Sequence, residues 1–136
     1  MDRPAYRVPP MAEVLATEGT DGPACVSLFA GGGGSCIGHM LAGRRVLWAN
    51  ECDPHAAATH RTNLPGHLVD GRDVREVTPE DVLRATGLER GELDLLDGSP
   101  PCQSFSTAGR RRLHDPRGTL FGDYARMVDG LRPRTF

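Results

Sequence analysis

The chain has 136 residues, 38% hydrophobic and 25% charged, with a formal net charge of −2. That length suits one domain with a real core, since a chain of this size buries roughly two-thirds of its surface on folding. No apolar run approaches the ~20 residues of a membrane span, and no basic-then-apolar leader opens the chain, so a cytoplasmic protein without a membrane partner is expected.

Every basic residue apart from the histidines is an arginine, and lysine is absent. That excludes a phosphate loop of the G-K-[ST] type and any Schiff-base lysine. Beyond Cys102 seven arginines face three aspartates, so a basic rear follows an acidic front, and different partners are expected for each. Cys25, Cys36, Cys52 and Cys102 form no C-x-x-C pair and no zinc-like spacing, and read as reduced thiols. The histidines at 39, 55, 60, 67 and 114 show no metal pairing, His55 and His60 being five apart. They read as surface residues, and no metal is expected.

Residues 1–23, rich in proline and glycine, read as a loosely ordered arm with a short helical turn within Met11–Glu18. Ala24–Phe29 is a compact apolar run, the pattern of a strand buried on both faces. Gly31–Gly34 follows, and Ser35 is a candidate N-cap for a helix carrying Cys36, Ile37, Met40 and Leu41. Arg45–Ala49 reads as a second strand. Pro54 suits the first turn of a helix running to about Asn63, with Asp53 as its cap and Leu64-Pro65-Gly66 as its close. His67–Val69 is a weak third strand. Thr78-Pro79-Glu80-Asp81 has the form of a capped helix start.

Leu93–Leu96 reads as the fourth strand, broken by Asp97-Gly98 and then by Pro100-Pro101. Cys102 follows on a stiff turn past that strand end. A free cysteine there is either a small buried hydrophobe or a nucleophile, and spacing alone does not choose. Residues 103–118 read as a long polar loop. Leu120–Leu131 is an amphipathic helix, with Leu120, Tyr124, Met127, Val128 and Leu131 on one face. Pro133–Phe136 reads as the approach to a fifth strand. Strands alternating with helices predict an α/β fold with a mainly parallel sheet and flanking helices.

The glycine loop lets backbone N–H groups and a helix N-terminus approach a ligand closely. The dinucleotide fingerprint needs glycines at n, n+2 and n+5, and Cys36 or Ile37 takes the third place in either frame, so NAD is disfavoured. Glu51 lies twenty residues past Gly31 at a strand end, where an acid commonly accepts ribose hydroxyls. Asp73, read at the end of the third strand, would receive an adenine amino group. Taken singly, Glu51 also fits a solvated strand-end carboxylate and Asp73 a turn residue. Together with the loop they describe an adenosine pocket that needs no pyrophosphate, and S-adenosylmethionine fits it.

Ser27-Leu28-Phe29-Ala30-Gly31-Gly32-Gly33-Gly34 with Gly38 resembles the first motif of the cytosine-5 DNA methyltransferases, [DS]LFAGxGGxxxG. Asn50-Glu51 with Asp53 resembles that family's second motif, and Gly71-Arg72-Asp73-Val74 a looser third with an extra arginine. Gly98-Ser99-Pro100-Pro101-Cys102-Gln103-Ser104-Phe105-Ser106 is similar to its nucleophile motif, and Asp115-Pro116-Arg117-Gly118-Thr119-Leu120-Phe121 to the segment that follows. The resemblance covers about Ala24 to Phe136. It implies a Rossmann-like S-adenosylmethionine-dependent methyltransferase domain over 24–136, incomplete at its C-terminus.

It also implies the chemistry. Cys102 would attack cytosine C6 as a thiolate, the methyl group would move from S-adenosylmethionine to C5, and loss of the C5 proton would free the enzyme. The base must be flipped out of the DNA duplex to be reached. Phe29, Gly31, Gly33, Glu51, Asp73 and Pro101 would contact the cofactor, although Phe29 also fits plain core. Gln103, Ser104, Ser106, Arg110 and Arg117 are candidates to hold the DNA backbone and the emptied stack. The family's later E-N-V motif, arginine motif and target-recognition region are absent from these residues. The resemblance therefore implies an N-terminal part, truncated or split, inactive alone and open to a second chain that carries the missing motifs. An RNA (tRNA) cytosine-5 methyltransferase and a non-catalytic S-adenosylmethionine-binding remnant are the alternatives.

Overall fold

A computed structural model describes residues 7–18, 21–101 and 120–136. Four parallel strands lie in the order β3-β2-β1-β4, where β1 is Ala24–Leu28, β2 Arg45–Asn50, β3 Val69–Asp70 and β4 Leu95–Gly98. Every residue of β1 is buried, as a central strand between two parallel neighbours requires. Alternate side chains of the inner strands feed two cores, because successive Cβ atoms point to opposite faces. Val26, Leu28 and Trp48 join Val82 of α4 (Pro79–Thr86) and Met127 and Leu131 of α5 (Leu120–Leu131). Ala49 joins Val14 of α1 (Met11–Leu15), Cys36 and Met40 of α2 (Gly34–Leu41), and Leu64. Helices thus cover both faces of the sheet.

Several elements form where local chemistry places them. Asp53 caps α3 (Pro54–Asn63) by accepting from the N–H of His55 at 2.9 Å and Ala56 at 2.8 Å. Thr78 and Asp81 close a reciprocal capping box on α4. Thr135 forms an isolated parallel bridge to Leu95 on the β4 edge, where the sequence places the approach to a fifth strand.

Within the N-terminal stretch, the helical turn expected in Met11–Glu18 is α1, whose Val14 is 1% exposed and packs in the second core. Other expectations shift. Helix α2 starts at Gly34 on a left-handed Gly33 with no side-chain cap, so Ser35 is inside the helix rather than its cap. The third strand is Val69–Asp70 rather than His67–Val69, and a 3-10 turn at Val74–Glu76 follows it. Strand β4 runs through Asp97-Gly98, which the sequence reads as a break. Pairing of Ser27 with Asp97 and Leu28 with Gly98 carries it two residues further. Ser27 Oγ donates to Asp97 at 3.0 Å, and His39 Nε2 lies 3.3 Å from the same carboxylate, so this half-buried aspartate is provided for.

Candidate functional site

The carboxyl ends of β1, β2 and β4 open onto a cleft of about 470 Å³. Its lining includes Phe29, Asn50, Glu51, Asp73, Ser99 and Pro101, with Cys52, Val74, Arg75 and Leu120 completing the wall. The volume lies in the range of small-molecule sites, and the position is where open α/β sheets bind ligands.

Phe29 leaves β1 with φ +56°, a left-handed conformation that a bulky residue adopts only under constraint. It turns the chain out of the strand and gives the cleft an aromatic wall, while part of the ring packs on the core. Phe29 is thus both a partner of the core and a wall of the cleft. Gly31 follows with φ +55° and open space where a Cβ would lie. Its N–H donates to Glu51 Oε2 at 2.8 Å, and the N–H of Asp53 donates to Oε1 at 2.8 Å. A carboxylate has about four acceptor positions, so each oxygen of Glu51 keeps one for a ligand. A vicinal diol would use both.

Asp73 lies three residues past β3, not at its end, and caps the 3-10 turn. It accepts from the Arg75 N–H at 3.0 Å, from Nε at 2.9 Å and from Nη2 at 2.5 Å. That leaves one acceptor position for an amino group. The Arg75 guanidinium and backbone N–H pull this carboxyl down to about 2. Pro101 and Ser99 form the opposite wall.

Of the six residues expected at a cofactor, Phe29, Glu51, Asp73 and Pro101 meet in the cleft, and Gly31 touches it through Glu51. Gly33 does not line it. It sits behind the loop with φ +94°, and a Cβ there would lie 3.1 Å from Leu64 and 3.2 Å from the His60 ring. Its role is close packing of loop on helix. Cys102, Gln103, Ser104, Ser106, Arg110 and Arg117 lie outside the described residues.

Asn50 and Arg75 were not legible as site residues. Asn50 is 2% exposed and donates through Nδ2 to the carbonyls of Asp70 at 3.1 Å and Arg72 at 2.8 Å. It pins the chain that brings Asp73 to the cleft. An amide at a strand end beside Glu51 was the available signal, as was an Asp-x-Arg spacing for Arg75. Among the described cysteines, burial pushes Cys25 up to about 12 and Cys36 up to about 11. Cys52 is also raised, by burial first and then by the negative charges of Glu51 and Asp73. These shifts favour the protonated thiol in each case.

The histidines depart from the surface reading. His60 is 0% exposed, His39 and His67 are half-buried, and His55 is exposed, while His114 lies outside the described residues. His60 Nε2 and His67 Nδ1 are 3.1 Å apart. Spacing along α3 gave no sign of this, because His67 comes from the turn that follows the helix.

Comparison with known proteins adds a family. The family model of C-5 cytosine-specific DNA methylases matches residues 24–136. The Type II methyltransferase M.AquIA of Picosynechococcus sp. is 41% identical over 112 residues, 82% of this chain and 45% of that protein. M.NgoPII of Neisseria gonorrhoeae is 41% identical over 113 residues, 82% of this chain and 31% of that protein. The chain thus spans less than half the length of these relatives. A crystal structure described as a DNA modification methyltransferase encoded within a prophage (E. coli) superposes with a TM-score of 0.69 at 33% identity, covering 82% of this chain and 30% of that one. The Spodoptera frugiperda DNMT2 mutant, at 23% identity and a TM-score of 0.59, shares the fold over 79% of this chain and 31% of that one.

Proposed function

The chain belongs to the C-5 cytosine-specific DNA methylase family, and from that membership we propose that its protein transfers a methyl group from S-adenosylmethionine to C5 of cytosine in DNA. One observation carries the reading. Glu51 keeps an acceptor free on each oxygen inside a cleft whose far wall, Pro101, is joined by one peptide bond to Cys102.

The donor set fits S-adenosylmethionine. Glu51 would take the ribose diol, Phe29 would lie against the adenine, and the one free acceptor of Asp73 would take its amino group. The two carboxylates outnumber the single arginine among the cleft's lining residues, which suits a sulfonium ligand. When bound, the cofactor supplies an electrophilic methyl group. Cys102 is the proposed nucleophile, adding as a thiolate to C6 so that C5 gains the electron density to accept that methyl; loss of the C5 proton then expels the thiolate. Cys25 and Cys36 are buried and Cys52 is held protonated, so none of them competes for this role. Gln103, Ser104, Ser106, Arg110 and Arg117 are proposed to hold the DNA around a flipped cytosine, with arginine forks on phosphate. Among the described residues no helix is long and apolar enough to cross a membrane.

Isothermal titration of the chain with S-adenosylmethionine tests the cleft, and absence of binding would overturn its assignment. Trapping on duplex DNA that contains 5-fluorocytosine tests the nucleophile: an adduct is expected with the intact chain and none with Cys102→Ser. An adduct formed on RNA alone would overturn DNA as the substrate.

A further inference from the structure

A second constellation lies behind the glycine loop, and methyl transfer gives it no role. Cys36 stands in the first turn of α2, His60 in the last turn of α3, and His67 on the turn that leads to β3. One ligand atom from each lies within 4.8 Å of the other two. Cys36 and His60 are both 0% exposed. His60 Nδ1 is buried with no hydrogen bond of full geometry among the described residues, and the Gly31 backbone is the polar group that acts on the ring.

We propose that Cys36, His60 and His67 form a site for one borderline-soft divalent cation of the zinc type, tying α2, α3 and the turn before β3 together beneath the glycine loop.

Geometry and ligand chemistry carry the proposal. Thiolate with two imidazoles is a zinc donor set, with Zn–S near 2.3 Å and Zn–N near 2.0–2.1 Å. Tetrahedral angles at those lengths put the two nitrogens roughly 3.3 Å apart and sulfur about 3.6 Å from each. The imidazole nitrogens already stand at 3.1 Å, and the sulfur needs to close by at most about 1 Å from its present limit of 4.8 Å. His60 bound through Nε2 carries its proton on Nδ1, which fixes the tautomer that the apposed rings otherwise leave open. Burial keeps the free Cys36 thiol protonated, so the cation displaces its proton on binding.

A buried site also needs a way in and a fourth position. A way in lies on the His67 side. A separate cleft of about 220 Å³ is lined by Thr17, Glu18, Met40, Gly66 and His67, with Arg44 and Arg45 on its rim. The Glu18 carboxylate reaches over Gly66, 3.1 Å from where a Cβ would sit, one residue before His67. Water entering there would complete the tetrahedron. The two arginines oppose a cation, so affinity has to come from the coordination bonds rather than the surrounding field. The site also reaches the loop: the His60 ring lies 3.2 Å from the Cβ position that Gly33 lacks, so a fixed ring fixes the loop's back.

The test uses Co²⁺ as a spectroscopic probe and Zn²⁺ as competitor, on chelator-treated chain in a Cys52→Ser, Cys102→Ser background. The expected result is one cobalt per chain, a thiolate-to-cobalt charge-transfer band, intense tetrahedral d–d bands, and displacement of both by zinc. Cys36→Ser should abolish the charge-transfer band. His67→Ala should weaken zinc binding by at least about tenfold, since even outer-sphere partners are worth that much. His67 is half-buried, so this variant keeps the test decisive if Cys36→Ser fails to fold. Zinc should raise the melting temperature of the parent and not of His67→Ala. Cobalt binding without the charge-transfer band, equal zinc affinity in parent and His67→Ala, or no binding at all would overturn the site.

Discussion

Replacing Gly98 by alanine is expected to destabilise the domain by an amount set by one aromatic ring. Gly98 ends β4 and leads into Ser99-Pro100-Pro101. A Cβ there would lie 2.5 Å from Cε2 and 2.9 Å from Cδ2 of Tyr124, and 3.4 Å from Leu28 Cβ. Ordinary carbon contacts begin near 3.5 Å, so ring or strand must move by about 1 Å. The ring cannot simply swing away, because its hydroxyl donates to the Leu96 carbonyl at 2.9 Å. Overpacking of this kind costs about 2 kcal/mol. With roughly 2.1 cal/mol/K of unfolding entropy per residue, that lowers Tm by about 7 °C for 136 residues. Differential scanning calorimetry of Gly98→Ala, Tyr124→Ala and the double variant forms the cycle. Tyr124→Ala loses ring burial on its own account. In its background the alanine at 98 should be neutral or stabilising by about 0.5 kcal/mol, since glycine is a poor strand residue. The same penalty in both backgrounds, or none in the parent, would refute the steric argument. Because Ser99 and Pro101 wall the cleft, weaker S-adenosylmethionine binding should accompany the lost stability.

Glu51→Gln keeps the side chain's shape but turns one acceptor into a donor facing a backbone N–H, so affinity for S-adenosylmethionine should fall tenfold to a hundredfold, about 1.5–3 kcal/mol for hydrogen bonds to a charged group; titration within twofold of the parent would count against the diol assignment. Asp73 sits at about 2 against an ordinary 3.8, a depressed carboxyl whose stabilisation is complete above the ordinary value and is lost as pH falls toward 2. Asp73→Asn should therefore flatten the acid limb of the denaturation midpoint between pH 4 and 2, leaving the slope contributed by Asp70 beside Arg72; an unchanged limb would dismiss the pair. Arg126 spans the carbonyls of Val77 at 2.9 Å and Val74 at 3.0 Å, joining α5 to the 3-10 turn. A lysine reaches only one of them, so Arg126→Lys should cost about 1–2 kcal/mol in urea, and a change under about 0.5 kcal/mol would show the fork to be dispensable.

Local signals in the sequence held at the caps of α3 and α4, where a residue acts on its own neighbours, and failed at Ser35, which lies inside α2. Asp53 and Thr78 cap the helices they precede, and Pro54 opens α3 as its fixed φ predicts. The apolar stripe of α5 buries Met127 and Leu131 as its 3.6-residue period requires. The signals failed where a partner distant in sequence decides. Asp97-Gly98 has turn chemistry, yet parallel pairing with β1 holds it in a strand, and Tyr124 fills the space the glycine leaves. His60 looks like one of several polar residues on a short helix, yet packing against Gly33 and His67 encloses it.

The sequence by itself therefore determined the α/β alternation, the order of the turns that wall the cleft, and through its G-S-P-P-C-Q and glycine-loop motifs the family. Each of these is encoded in contiguous residues. Tertiary structure alone decided that Glu51 keeps two acceptors free while Arg75 occupies most of Asp73, and that Asn50 holds the chain between them. It alone decided that Cys36, His60 and His67 meet. How many lone pairs a carboxylate has left, and which imidazole faces which thiol, depend on groups brought together by the crossing of α2, α3 and the sheet. No local pattern records those distances.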